Sequence, residues 1–214
     1  MLEYGPGDVP TDHRWNSEEY VAEWAATAND APHRVAMFDA FVAELSAFAA
    51  ASSSAGLQIF ELGSGPGYLA EQLCARVAVA RYAALDISRH MHAIAGARLA
   101  PWGASVDLIE VDYREQGWEL AIDDSFDAVV TLQAVHELRR ADLIPDLYAS
   151  AGRCLRPGGI ALVADIVNWA GEEPKAHQLT VDGHLRALAD AGFVQGRCVL
   201  DLGRVALVRA ERAS

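Results

Sequence analysis

The run Glu61-Leu62-Gly63-Ser64-Gly65-Pro66-Gly67-Tyr68 sets three glycines at alternate positions directly after a short apolar stretch. Glycine there lets the backbone turn tightly and lets a ligand approach the main chain. Asp86 closes a second apolar stretch about 20 residues further on, where an acid can accept both hydroxyls of an adenosine ribose. Asp112, followed by Tyr113, closes a third, where a carboxylate could take a hydrogen bond from an adenine amino group. The Gly-x-Gly-x-Gly spacing is one residue shorter than the usual dinucleotide fingerprint. No Lys-Ser or Lys-Thr follows, which removes the phosphate-binding P-loop. A few residues beyond a fourth apolar stretch stands His136, whose imidazole titrates near neutrality and could move a proton.

These residues need a frame that brings strand ends together. Apolar runs at 57–62, 81–87, 106–111, 126–132 and 159–167 read as strands. Helical patterns at 68–77, 89–99, 143–155 and 181–191 alternate with them, and 197–202 with 205–208 reads as a terminal β-hairpin. Such alternation means a parallel sheet covered by helices on both faces, with an antiparallel strand added at the end. Ligands of open parallel sheets bind beyond the carboxyl ends of the strands, so the three acids converge on one crevice with the glycine turn. Before Gly56 the pattern is helical. Asn16 and Glu19 have capping-box spacing, a second helix is expected near Asp30 with Pro32 in its first turn, and Val35, Phe38, Val42, Leu45 and Phe48 form one stripe. The chain therefore divides into an N-terminal helical extension or lid, residues 1–55, packed on a core of residues 56–214.

The composition narrows the partners. With 17 basic and 30 acidic residues among 214 the net charge is −13, which argues against nucleic acid and against an anionic membrane surface. Cys74, Cys154 and Cys198 have no metal or redox spacing and suit a reduced, cytoplasmic protein; no metal set is expected. Residues 1–12 lack the features of a signal peptide. The uncharged stretch 45–60 is broken by Ser52, Ser53, Ser54 and Gly56 and does not read as a membrane span.

Taken in order, these motifs resemble a class I S-adenosylmethionine-dependent methyltransferase of the small-molecule type, from about Leu57 to the C-terminus. Glu61 to Gly67 matches the family's first motif, Leu85-Asp86-Ile87-Ser88 its ribose motif and Val111-Asp112-Tyr113 its adenine position. Phe126 to Val130 matches the fourth strand, and Leu155-Arg156-Pro157-Gly158-Gly159 the turn into the fifth. The resemblance implies a Rossmann-like, seven-stranded, mostly parallel α/β sheet with an antiparallel last strand. It also implies roles. Gly63, Ser64, Gly65 and Gly67 would form the loop under the methionine part of S-adenosylmethionine, with Glu61 facing its ammonium through water. Asp86 would hold the ribose, Ile87 would pack on the adenine, and Asp112 with the Tyr113 backbone would read the adenine edge. Gln133 and Ala134 would lie near the sulfonium.

The acceptor is constrained by departures from other patterns. Gln133-Ala134-Val135-His136 is not the Pro-Pro-aromatic run of enzymes that methylate adenine amino groups or glutamine, and no Pro-Cys nucleophile is present. Asp165-Ile166-Val167-Asn168 lacks the adjacent Asp-Asn of the metal-dependent catechol type. A small-molecule acceptor remains, methylated on oxygen or nitrogen, with His136 as the expected base. Tyr20, Trp24, Arg34 and Trp169 are candidate acceptor contacts, and His13 and His33 are expected at the surface or in caps. A nicotinamide-dependent oxidoreductase would explain the glycine turn and Asp86 but not the rest. A cofactor-binding protein without catalysis would carry the same motifs.

Overall fold

The computed structural model describes residues 14–52, 55–122, 126–169 and 173–213; residues 1–12, His13, Ser53 and Ser54 lie outside them. Seven strands, β1 (Leu57–Leu62), β2 (Val79–Asp86), β3 (Val106–Glu110), β4 (Phe126–Leu132), β5 (Leu155–Ile166), β6 (Phe193–Asp201) and β7 (Val205–Arg212), form one sheet in the order β3-β2-β1-β4-β5-β7-β6. β1 pairs in parallel with β2 and β4, β2 with β3, and β4 with β5. β7 runs antiparallel between β5 and β6. This is the expected Rossmann-like architecture, and the strand order reverses between β1 and β4, where a crevice opens.

Helices α1 (Glu18–Thr27), α2 (Arg34–Ser52), α3 (Tyr68–Arg76), α4 (Arg89–Leu99), α5 (Ile144–Cys154) and α6 (Val181–Asp190) surround it. Neighbouring strand residues face opposite sides. Ile59 and Tyr82 therefore pack with Met37, Phe41 and Leu45 of α2 and Leu69 and Leu73 of α3. Phe60, Leu85 and Val129 pack with Leu147, Tyr148 and Leu188 of α5 and α6. β4 is buried at every position, which explains its unbroken apolar run. By length and composition α2 could cross a membrane; here its Met37, Phe41 and Leu45 are wholly enclosed in the core.

Several boundaries differ from the sequence expectation for identifiable reasons. Ser17, not Asn16, caps α1, its Oγ accepting the Tyr20 N–H at 3.3 Å. Pro32 precedes α2 instead of opening it. A residue before proline is pushed to extended backbone, and Ala31 adopts φ −64°, ψ 127°, so the helix begins at Arg34. β5 starts at Leu155 because Phe126 already pairs there, ahead of a register shift. β6 starts at Phe193, with Gln195 at φ 54° where the pairing with β7 shifts; its exposed polar residues hide the strand pattern.

Candidate active site

The glycine loop leaves β1 with Gly63, Gly65 and Gly67 at φ 66°, 53° and 80°, a region closed to most side chains. A Cβ at Gly63 would also stand 2.4 Å from the Ala134 Cβ. Two backbone donors reach the neighbouring strand: the Ser64 N–H bonds the Leu85 carbonyl at 2.8 Å, and the Gly65 N–H bonds Asp86 Oδ2 at 2.8 Å. Asp86 Oδ1 accepts the Ser88 N–H at 2.8 Å. Asp86 thus ties the loop to the start of α4, whose cap is Ser88. Burial raises its pKa, against the lowering effect of those backbone bonds and of His92.

Below the loop, Glu61 is buried and accepts the Tyr82 hydroxyl at 2.7 Å. Burial pushes its carboxyl up to about 8, although Tyr82 and Arg34 oppose the shift. Arg34, on the first turn of α2, is 7% exposed; burial lowers its pKa, opposed by the charge of Glu61.

The far wall comes from β3, β4 and β5. Asp112 accepts the Arg114 guanidinium at 2.7 and 2.6 Å, so its carboxylate is shared with a neighbouring side chain. The Tyr113 hydroxyl donates to the Ala134 carbonyl at 2.7 Å and locks the segment after β4. Gln133 enters that segment at φ 57°, its N–H bonded to the Ala164 carbonyl at 2.7 Å. A non-glycine residue in this region is held by its surroundings and is characteristic of functional sites.

His136 follows. Its backbone N–H donates to Asp165 Oδ2 at 2.8 Å, and its Nδ1 lies 2.5 Å from Asp165 Oδ1. With Nδ1 committed to that buried carboxylate, Nε2 remains, 3.5 Å from Glu137 Oε1. Burial alone would lower the imidazole pKa, but the bonds and charges of Asp165 and Glu137 outweigh it and raise it to about 9. The expected titration near neutrality is therefore displaced upward. Glu137 is pulled the other way: against burial, His136, Arg139 and Arg14 bring it down to about 2. It is not a solvated carboxylate but a partner of Arg14 and Arg139, each at 3.0 Å.

The N-terminal turn crosses the opening. The Ser88 hydroxyl donates to the Trp15 carbonyl at 2.5 Å, and Trp15 meets Tyr20 and Trp24 edge-on, each at 5.3 Å between ring centroids. The resulting cavity measures about 310 Å³, at the lower end for small-ligand sites. Of the expected contacts it gathers Glu61, Gly63, Ser64, Gly65, Asp86, Ile87, Asp112, Tyr113, Gln133, Ala134, His136, Trp24 and Arg34. Gly67 serves as the N-cap of α3. Tyr20 packs on Trp15 behind the lining, and Trp169 is 43% exposed and outside it. His33 lines the cavity from the residue before α2, where its carbonyl accepts the Met37 N–H at 3.0 Å.

The sequence gives no site role to Asp165, Arg14 or Met91, which also line or support the cavity. Asp165 had a usable signal: it ends an apolar strand as Asp86 does. The lining suits an adenosyl amino acid. Ser64 Oγ is buried without a protein partner, Glu61 offers an acceptor for a cation, and Ile87 and Met91 offer apolar walls to a base.

Comparison with known proteins agrees with this frame. The family model described as a methyltransferase domain matches residues 59–159. No curated protein matches the chain significantly. Among solved structures, a SAM-dependent methyltransferase from Aquifex aeolicus is 18% identical with a TM-score of 0.65, the match covering 91% of this chain and 98% of that one. Human N-acetylserotonin methyltransferase, in complex with SAM, is 15% identical with a TM-score of 0.71, covering 96% of this chain and 61% of that one. The DszA carbon methyltransferase is 16% identical with a TM-score of 0.72, covering 89% of this chain and 57% of that one. At these identities the structural likeness speaks for the fold. Residues 59–159 thus match a methyltransferase domain, and the chain around them has the fold of these methyltransferases.

Proposed function

We propose that the protein methylates a hydroxyl or amine of a small molecule, with His136 taking the proton that the acceptor gives up. The observation that carries this reading is the position of the His136–Asp165 pair: His136 lines the same cavity as the glycine loop and Asp86, with Nδ1 held by Asp165 and Nε2 beside Glu137. When bound, S-adenosylmethionine supplies a methyl group on a cationic sulfur, open to in-line displacement. The chain's own residues have three tasks. Glu61, the Gly63–Gly65 backbone and Asp86 hold the cofactor. Trp15, Trp24 and the N-terminal turn, read as a lid, exclude water and bring the acceptor close, which supplies much of the rate. Asp165 holds the ring through Nδ1 and the backbone, so that Nε2 can accept the proton as the new O–C or N–C bond forms and the S–C bond breaks.

Asp86, in this reading, accepts the ribose hydroxyls while keeping its two backbone donors, which its four lone-pair sites permit. Asp112 keeps capacity for the adenine amino group beside Arg114. The net charge of −13 supports a small-molecule acceptor over nucleic acid or an anionic membrane. Turnover of a metabolite panel of phenols, alcohols and amines, with methyl-labelled cofactor, tests the proposal. Labelled product from one class is expected, with a rate that rises with pH towards the His136 pKa. Cofactor binding with no labelled product from any class would favour a binding protein without catalysis.

A further inference from the structure

Arg34, a base, and Glu61, an acid, face one cavity and do not meet. Arg34 is 7% exposed and Glu61 2%, and the charge of Glu61 acts on the guanidinium. No ion pair within 4.0 Å joins them, and the Arg34 Nε is buried without a protein partner. A guanidinium held in this way, at such a depth, is costly unless an anion completes it. Arg34 belongs to α2 and Glu61 to β1, so the gap between them is set by the packing of α2 on the core through Met37 and Phe41. Ser64, whose Oγ also lacks a protein partner, lies on the same lining.

We propose that Arg34 binds the carboxylate of an α-amino acid group whose ammonium faces Glu61, and that this group is the methionine end of the cofactor. An α-amino acid carries both charges on one carbon, which matches a buried guanidinium and a buried carboxyl on one cavity, the ammonium favouring the ionised form of Glu61. The planar guanidinium fork suits a carboxylate through two parallel hydrogen bonds. The alternative source, an amino-acid acceptor, would need its backbone end beside the glycine loop, the place the proposed reading gives to the cofactor. Arg34 therefore moves from the acceptor side, where the sequence placed it, to the cofactor side. The inference rests on the cofactor reading of this cavity, and the test separates the two.

The test compares S-adenosylhomocysteine with 5′-methylthioadenosine, which keeps the nucleoside and sulfur but lacks the amino acid end, by calorimetric titration of wild type, Arg34→Met and Arg34→Lys. A charge-assisted bond is worth roughly 1.5–3 kcal/mol, so Arg34→Met should weaken S-adenosylhomocysteine by about 10- to 100-fold. Affinity for 5′-methylthioadenosine should stay within about two-fold by the same reasoning, which also reports that the site is folded. Arg34→Lys, which keeps the charge and loses the fork, should fall between. Equal weakening of both ligands would make Arg34 a packing residue and overturn the inference. Unchanged S-adenosylhomocysteine affinity, with a raised KM for a carboxylate-bearing acceptor, would give the carboxylate to the acceptor and overturn it too. Failure of wild type to bind either ligand would remove the cofactor reading itself.

Discussion

His136→Ala is expected to lower kcat on the true acceptor by about 10²- to 10⁴-fold, the usual contribution of a positioned base. Cofactor affinity should be nearly untouched, because the imidazole is held by Asp165 and Glu137 and not by the glycine loop. The pH profile carries the sharper signature. The base must be neutral to accept a proton, and its pKa is raised to about 9. The wild-type rate should therefore climb through neutral pH and level off only above that value, and the mutant should lose this limb. Stability runs in the opposite sense. A folded pKa above the unfolded one means that the contribution of His136 is complete below the ordinary histidine value and is lost as pH rises through about 9. The pH range that frees the base thus loosens the segment after β4. A mutant with wild-type kcat would make His136 structural, and one that also loses cofactor binding would show that it holds the loop.

The second large effect is expected at Asp86. Removing its carboxylate in Asp86→Ala takes away a charged acceptor for two ribose hydroxyls, and should weaken cofactor binding by about 2–4 kcal/mol. Part of that loss would come through the protein, because Asp86 also receives the Gly65 and Ser88 N–H groups. Asp86→Asn separates the two contributions: it keeps a carbonyl oxygen for one backbone donor while losing the charge. Titration of S-adenosylhomocysteine into both variants is the measurement. An unchanged dissociation constant in Asp86→Ala would place the ribose elsewhere.

What could be read from the sequence follows a physical division. Strand-end acids and glycine turns are local: Asp86 and Asp112 sit where apolar runs stop, and Gly63 and Gly65 occupy positions whose φ few side chains tolerate. The parallel sheet follows from alternating patterns, and β4 declares its burial through its composition. Partnerships between distant elements leave no such trace. Asp165 reaches His136 across 29 residues, and nothing near His136 in the chain announces that its Nδ1 is held by a buried carboxylate. Arg34 reads as one basic residue on an apolar helix; only packing brings it opposite Glu61. Asp112 looks free in the sequence because the bond from Arg114 depends on the backbone turn between them. The apolar pattern marks only part of the edge strand β6, because its outward residues are polar and exposed.

In the proposed reading the crevice where the strand order reverses, between β1 and β4, holds an adenosyl amino acid. Thermal unfolding with S-adenosylhomocysteine and with NAD at equal concentration tests it most directly, since a ligand that binds only the folded state raises the melting temperature by mass action. At about a hundred times its dissociation constant, such a ligand stabilises by roughly 2.7 kcal/mol. The account predicts a clear rise with S-adenosylhomocysteine and none with NAD, whose dinucleotide fingerprint requires one residue more between the glycines than this loop provides. A rise with NAD and none with S-adenosylhomocysteine would contradict it.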